Sequence, residues 1–300
     1  METASSKADK SGTEGRHNMH RSIAKYIEVL KPKETSLLIF IGILAAVVAG
    51  EGSPPLDILS LSLVAIALGS GGANGLTNYL DRKVDARMQR TQHRALPSKR
   101  IFPPTKVLPL VVSLIAVALA LAWVLHPLCF LFGAIGVAAA LSWRKTWATH
   151  LLGIIAGCAP VLVGYLAINH QLNLTILFLC LLIATWVPLH VWSLMTSYRE
   201  DYLRAGVRIF PVTWETRDAI KVLVGLSVLL YGISIALYHF GDFGILYLVV
   251  ANILGLAMVV ATFRLLISSA SRDAWRVYKL TAFPYLGLIF LTMGLDLWLL

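Results

Sequence analysis

Nine long apolar runs dominate the chain and leave few folds open to it. They cover about residues 34–51, 56–80, 107–125, 127–142, 150–168, 173–197, 219–240, 243–267 and 277–300. Most of these runs are as long as a helix must be to cross the hydrocarbon core of a bilayer. Backbone polar groups inside a bilayer must be paired within the protein, which favours helices. The sequence therefore predicts an all-α integral membrane protein with nine transmembrane helices.

The distribution of charge fixes the expected orientation of these helices. The chain is 57% apolar and only 14% charged, whereas soluble proteins carry about 25% charged residues. All 26 lysines and arginines fall in connections on the side of the N-terminus, and the opposite side holds acidic residues but no lysine or arginine. By the positive-inside rule, the N-terminus and the long loops face the cytoplasm and the C-terminus lies outside. The net charge of +10 thus reflects membrane topology, and no nucleic acid partner is expected. In a prokaryote the membrane would be the cytoplasmic membrane.

The composition along the chain predicts one domain with a tail. Residues 1–25 are rich in Ser, Lys and Glu and are expected to be a disordered polar tail. Residues 26–300 are expected to form a single nine-helix membrane domain. The three cysteines lie inside apolar runs and have neither disulfide nor metal-ligand spacing.

The end of the second apolar run carries a cluster of polar side chains on one helical face: Asn74, Asn78, Asp81 and Asp85. The carboxylates of Asp81 and Asp85, four residues apart, should lie about 5–6 Å from each other. A divalent cation would relieve their repulsion, and magnesium commonly binds one or two carboxylates together with substrate phosphates. Thr77 and Asn78 could add neutral oxygen ligands. The alternative is a solvated helix end whose acids are balanced by neighbouring cations.

A second acidic region follows the sixth apolar run. Glu200 and Asp201 come just after the end of this run. His190 precedes Asp201 by eleven residues, which places His190 and Asp201 on nearly the same helical face. His190 could accept a proton, bind a metal or orient a ring. The simpler interpretation is a hydrogen-bonded packing residue.

The two acidic regions are expected at the same membrane face, where they could hold magnesium ions on a diphosphate from both sides. Cations that could contact the phosphate oxygens follow each region or stand near it: Arg82, Arg90, Arg94, Lys145, Arg204 and Arg208. Apolar, aromatic-rich walls would suit a long hydrocarbon or a planar substrate.

These motifs resemble those of a known family. Thr77-x-x-x-Asp81-x-x-x-Asp85, followed by Met88 to Pro97, is similar to the first acidic motif of the UbiA-type membrane prenyltransferases. Pro188-Leu-His190-Val-Trp192 and the stretch from Tyr198 to Gly206 are similar to the second motif region of the branch that farnesylates protohaem. The resemblance covers about residues 25 to 300, and nine helices is the number typical of the family.

The resemblance implies a reaction and a site. It implies transfer of a farnesyl group from farnesyl diphosphate to the vinyl group of protohaem IX (haem b), for haem A and terminal-oxidase biosynthesis. Magnesium would be the cofactor and haem the substrate. The implied catalytic residues are Asp81, Asp85, Asp201 and His190. The implied metal ligands are Asp81, Asp85, Asn78, Thr77, Glu200 and Asp201, and the haem or prenyl pocket would include His190, Trp192, Asn74, Tyr198 and Tyr202.

Several positions depart from the family pattern and keep other functions open. Thr77 and Thr149 stand where the family usually has Asn, and Ala95 stands where it usually has Pro. A quinone precursor or another lipid is therefore an alternative acceptor. A transporter would use intramembrane acids near the bilayer midplane, whereas these acids lie at helix ends. Haem A synthase or oxidase assembly factors are the protein partners that the resemblance suggests, within the lipid bilayer.

Overall fold

The computed structural model describes residues 23–142 and 146–299, and the described part of the chain is helical throughout its apolar runs. A short helical segment at residues 23–29 precedes the bundle, so helical structure begins inside the predicted tail. The bundle helices are α1 (Pro32–Ala49), α2 (Leu56–Asp85), α3 (Leu108–Leu125, after a 3₁₀ turn at Pro104–Val107), α4 (Pro127–Leu141), α5 (Thr149–Ile168), α6 (Leu174–Ser197), α7 (Arg199–Arg204), α8 (Thr216–Phe240), α9 (Ile245–Ser268), α10 (Ser271–Leu280) and α11 (Leu288–Leu299).

Among the described residues, eight segments are long and apolar enough to cross a membrane. The fourth predicted run forms a shorter apolar helix, α4, of 15 residues. At a rise of about 1.5 Å per residue, α4 spans only about 22 Å. The all-α membrane fold is confirmed, and the predicted count of nine is reached when this shorter helix is included.

Neighbouring helices close the bundle into a ring. Consecutive helices pack against each other from α1 to α6, α6 then packs on α8, α8 on α9, α9 on α11, and α11 returns to α1. Helix α1 also packs across the ring on α5. The two helices approach so closely that a Cβ atom at Gly164 would collide with the backbone of Gly42. Small residues at such crossings are typical of membrane helices, since close backbone approach increases van der Waals contact.

The last membrane segment is broken. Between α10 and α11, residues Thr281–Gly287 form a π-helical turn in which Ala282 has a non-helical ψ of −136° and Pro284 removes a backbone donor. The indole of Trp186 on α6 donates a hydrogen bond to the Thr281 carbonyl at this break. The break is therefore held from a neighbouring helix.

Candidate functional site

Helix α2 continues beyond its apolar run and carries the first acidic cluster at its C-terminal end. Arg82 and Lys83 lie in its last turn, where cations favour the negative end of the helix dipole. Asn78, Asp81 and Asp85 are only 7%, 6% and 4% exposed. Carboxylates are rarely this buried unless they are paired or bind a cation. This burial makes the solvated helix end a poor description of the cluster.

Asn78 has one oxygen available for a ligand. Its amide nitrogen donates to the Val29 carbonyl at 2.6 Å, which fixes the orientation of the side chain. Its Oδ1 atom is buried and has no hydrogen-bond partner among the described residues. A buried acceptor without a partner costs about 1–3 kcal/mol. Because Asn78 lies one turn before Asp81 and two before Asp85, the three side chains supply oxygen donors of the kind magnesium prefers.

Asp85 is also tied to the loop that follows α2. Its Oδ2 atom pairs with Arg94 Nη1 at 3.3 Å, and its backbone carbonyl accepts from the hydroxyl of the fully buried Thr91 at 2.9 Å. Arg94 is thus a counter-ion of the acidic cluster in addition to being a predicted phosphate ligand.

Asp201, in the second acidic region, is joined to the same loop. Its two carboxylate oxygens accept the backbone N–H groups of Gln89 at 2.8 Å and of Arg90 at 3.2 Å. The side chain is 5% exposed. Nearby, Met88 packs in a small apolar cluster with Met195 and Tyr202. The fold therefore brings the two acidic regions together through a contact between residues more than a hundred positions apart.

Three other charged residues predicted in or near the second region lie at the surface. The side chains of Glu200, Arg204 and Arg208 are exposed. Among the described residues, no three His, Cys, Asp or Glu side chains converge as a ready metal-binding group. Lys145, also predicted to bind phosphate, lies outside the described residues.

Three partly buried arginines differ in how they are engaged. Arg82 donates to the Tyr79 carbonyl and covers the Tyr79 ring at 4.1 Å. Arg90 lies 5.6 Å from the Tyr198 ring, and its Nε atom is buried without a partner among the described residues. The Nε atom of Arg199 is also buried without a hydrogen-bond partner among the described residues. Arg199 was not among the sequence candidates, although it directly precedes the second acidic pair.

Two cavities open next to α2. The apolar cavity, of about 200 Å³, lies between α2, α3, α4 and α5 and is lined mostly by Gly, Ala and Leu. The polar cavity, of about 300 Å³, reaches toward α6 and is lined by His150, Trp192 and Tyr202 among others. Asn74 and Thr77 line both cavities, and they lie about two turns and one turn before Asp81. The two cavities therefore meet one to two helical turns from the acidic cluster, and Asn78, Asp81 and Asp85 themselves line neither cavity.

Of the five predicted pocket residues, Asn74, Trp192 and Tyr202 line the polar cavity. His190 lines neither cavity. Its ring is held between Trp186 and Tyr278, with centroids 4.7 Å and 4.6 Å away. Tyr198, the fifth residue, packs edge-on against Trp275.

The hydrogen bonds of His190 assign its tautomer. The Thr281 hydroxyl donates its only proton to the Tyr278 carbonyl at 2.8 Å, so it must accept from His190 Nδ1, which is 2.9 Å away. The neutral ring therefore carries its proton on Nδ1 and a lone pair on Nε2. Both roles considered for His190, metal ligand and base, require that lone pair.

His150 is a cavity residue that the sequence reasoning missed. Its Nδ1 atom accepts the indole N–H of Trp192 at 2.9 Å, so the neutral ring carries its proton on Nε2. The Phe210 backbone carbonyl approaches the ring, but Nε2 has no hydrogen bond of normal geometry among the described residues. The free nitrogen of His150, Nε2, is thus a hydrogen-bond donor, whereas Nε2 of His190 carries a lone pair. Its only sequence signal was its place beside Thr149, where the chain departs from the family pattern.

An all-helical membrane bundle with buried carboxylates near two cavities is an arrangement suited to a membrane-embedded enzyme. The chain belongs to the UbiA prenyltransferase family, whose family model matches residues 37–288. It is 36% identical to a protein of Desulforudis audaxviator named protoheme IX farnesyltransferase, over 93% of this chain and 90% of that one. A protein of the same name from Symbiobacterium thermophilum is 34% identical, over 91% of this chain and 94% of its own length.

Solved structures share the fold at lower sequence identity. A digeranylgeranylglyceryl phosphate synthase superposes with a TM-score of 0.76 at 17% identity, covering 93% of this chain and all of that chain. A UbiA homologue from Archaeoglobus fulgidus, bound to GPP and Mg²⁺, superposes with a TM-score of 0.64 at 15% identity over 92% of this chain and all of that chain. At these identities the likeness establishes the fold alone.

Proposed function

We propose that this chain transfers the farnesyl group of farnesyl diphosphate to a vinyl group of protohaem IX and so forms haem O. The observation that carries the proposal is the junction at Asn74 and Thr77, where an apolar and a polar cavity meet one to two helical turns from the buried Asp81. A prenyl diphosphate needs an apolar space for its chain, a charged place for its head and a second space for the acceptor. The names of the curated relatives supply the particular donor and acceptor.

The diphosphate head belongs at the cytoplasmic end of α2. Asn78, Asp81 and Asp85 would hold magnesium, as their burial and the partnerless Asn78 oxygen support. Magnesium bound there would neutralise the charge that develops on the departing diphosphate. Arg90 and Arg94 follow α2 in the loop that Asp201 fixes, and guanidinium groups suit phosphate oxygens. Thr77 keeps acceptor lone pairs, since its hydroxyl proton is donated to the Asn74 carbonyl.

The chemical step follows from this arrangement. The bond between C1 of farnesyl and its diphosphate oxygen breaks, and the diphosphate leaves with the electron pair. The vinyl group of haem supplies electrons to C1 and forms the new carbon–carbon bond. Water then adds to the resulting cation and loses a proton, which gives a hydroxyethylfarnesyl side chain. The apolar walls exclude water from the allylic cation before the vinyl group reacts.

The orientation of the bundle is part of the same proposal. We infer that the N-terminus and the acidic site face the cytoplasm and that the C-terminus lies outside, because every Lys and Arg of the chain falls in the connections of one side. Diphosphate would then be bound from the aqueous compartment and the prenyl chain from within the bilayer.

The test uses the purified full chain in liposomes with haem b, farnesyl diphosphate and Mg²⁺, followed by mass analysis of extracted haem. The expected product is haem heavier by one farnesyl group and one hydroxyl group, formed only when the metal is present. Farnesyl diphosphate turnover without any modified haem would refute haem as the acceptor.

One observation favours a second acceptor class. His190, the residue whose sequence context most resembles the haem branch, lies outside both cavities. A quinone precursor or similar lipid ring would also fit between Trp192 and Tyr202 in the polar cavity. The same assay with a prenylatable aromatic acid in place of haem distinguishes the two, because only the true acceptor gains the farnesyl mass.

A further inference from the structure

The apolar cavity has a definite depth, set by the register of α2 against α3. A Cβ atom at Gly69 would lie 3.4 Å from the Cβ atom of Ala118, and Gly72 faces Ile115 in the same antiparallel register. Continuing that register outward by one turn brings Ala65 opposite Ala122. Both residues line the cavity and are buried, at 4% and 3% exposure. They lie at its end farthest from the acidic cluster.

Two larger side chains complete this end of the cavity. Ile66 and Val163 line it and are 4% and 7% exposed. We call Ala65, Ile66, Ala122 and Val163 the floor of the apolar cavity. Cys129 packs behind Val163, since it is fully buried and its thiol donates to the Val163 carbonyl at 3.5 Å. A chain that enters from the acidic cluster therefore meets buried side chains at the floor.

The length of the cavity can be compared with the lengths of prenyl chains. From Thr77 to Ala65 is twelve positions of α2, or about 18 Å along the helix axis. Contact with the floor occupies about 3.5–4 Å of this, which leaves about 14 Å. An extended chain advances about 1.2 Å per main-chain bond, so a farnesyl group reaches roughly 13 Å by the same geometry. A geranylgeranyl group, with four more main-chain bonds, reaches roughly 18 Å.

We propose that the floor of the apolar cavity sets the length of the prenyl chain, admitting farnesyl and excluding geranylgeranyl. This rests on the proposed function, because it takes the diphosphate to lie beside Asp81 and the chain to run toward Ala65. The small side chains of Ala65 and Ala122 leave room for the third isoprene unit. Ile66 and Val163 stop a fourth.

Two substitutions move the floor in opposite directions. Ala122→Leu raises the floor and should lower kcat/KM for farnesyl diphosphate about tenfold or more relative to geranyl diphosphate, since a misfit of a few methyl groups costs about 10–200-fold. Ile66→Ala lowers the floor and should raise the ratio of geranylgeranyl to farnesyl transfer about tenfold. Ala120→Leu is the matched control, because Ala120 is on the same helix but exposed. It should leave both ratios unchanged.

The three diphosphates are measured in two ways on the full chain in liposomes with Mg²⁺. One is transfer to haem, and the other is competition with radiolabelled farnesyl diphosphate for binding, which requires no acceptor. Shifted preferences in both Ala122→Leu and Ile66→Ala support the proposal. If Ala122→Leu does not fold, Ile66→Ala decides alone.

Unchanged chain-length preference in a folded Ile66→Ala variant would overturn the role of the floor while leaving haem farnesylation intact. The opposite result also distinguishes the role of the floor from the proposed acceptor. If binding preference shifts as expected but haem is never modified, the floor sets chain length and the proposed acceptor is wrong.

Discussion

The two acidic regions look alike in sequence but are built differently. In the first, Asn78, Asp81 and Asp85 project from one face of a continuous helix, and the Asn78 oxygen has no partner among the described residues. In the second, both oxygens of Asp201 accept backbone N–H groups from the loop after α2. Glu200, its neighbour, is exposed. The first region leaves the Asn78 oxygen without a partner among the described residues, whereas the second holds the first region's loop in place.

This difference assigns unequal roles to carboxylates that the sequence treats as equivalent. A carboxylate that binds the metal stabilises charge as it develops in the reaction. A carboxylate that orders a loop acts through the residues it positions, and such outer partners typically contribute 10–100-fold. Substituting each acid by its amide keeps the size of the side chain and tests this ranking directly.

The largest effect is expected at the first region. Asp81→Asn or Asp85→Asn should lower farnesyl transfer by about a thousandfold, because loss of a metal-binding charge removes stabilisation of the departing diphosphate. The measurement is product formation by mass analysis, with Mg²⁺ varied. If both variants kept more than a tenth of the activity, α2 would not carry the metal.

Asp201→Asn should have an intermediate effect, about 10–100-fold. An amide has one acceptor oxygen, so only one of the two N–H groups of Gln89 and Arg90 can be satisfied. We also expect the variant to unfold more readily, by about 1–3 kcal/mol, in thermal denaturation in detergent. An effect as large as that of Asp81→Asn, without loss of stability, would make Asp201 a direct metal ligand instead.

Asn78→Leu should raise the Mg²⁺ concentration needed for half-maximal activity by about tenfold, as expected for loss of one neutral oxygen near the metal. The variant also loses the hydrogen bond to the Val29 carbonyl. Asn78→Asp restores the oxygen but not that bond, so recovery of metal affinity by Asp identifies the oxygen as the cause. No recovery would assign the effect to packing against the segment that contains Val29.

The smallest effect is expected for Glu200→Gln. The side chain is exposed, and exposed charges typically contribute about 0–1 kcal/mol. Activity should therefore change by less than about fivefold. This variant is also the matched carboxylate-to-amide control for the other acids. A loss comparable to that of Asp201→Asn would show that Glu200 turns inward to bind the metal when substrate is present.

Much of the fold and part of the site could be read from the sequence. Apolar length predicted the helices, because a bilayer forces backbone pairing within each span. Helical spacing placed Asn78, Asp81 and Asp85 on one face, and they share a buried helix end. The roles of Asp201 and His190 needed the tertiary structure. Asp201 contacts a loop more than a hundred residues away, and His190 turns toward α10 and away from the cavities.

His150 illustrates the same limit from the other side. A lone histidine at the start of an apolar run carries no periodic signal, and only the packing of α5 on α6 brings it to Trp192. The sequence alone determined that the chain is a helical membrane protein with one basic face and an acidic helix end, because these follow from composition and local spacing. Which acid holds a distant loop, which histidine lines a cavity and which residues line the apolar cavity were decided by contacts between distant segments, which local spacing does not encode.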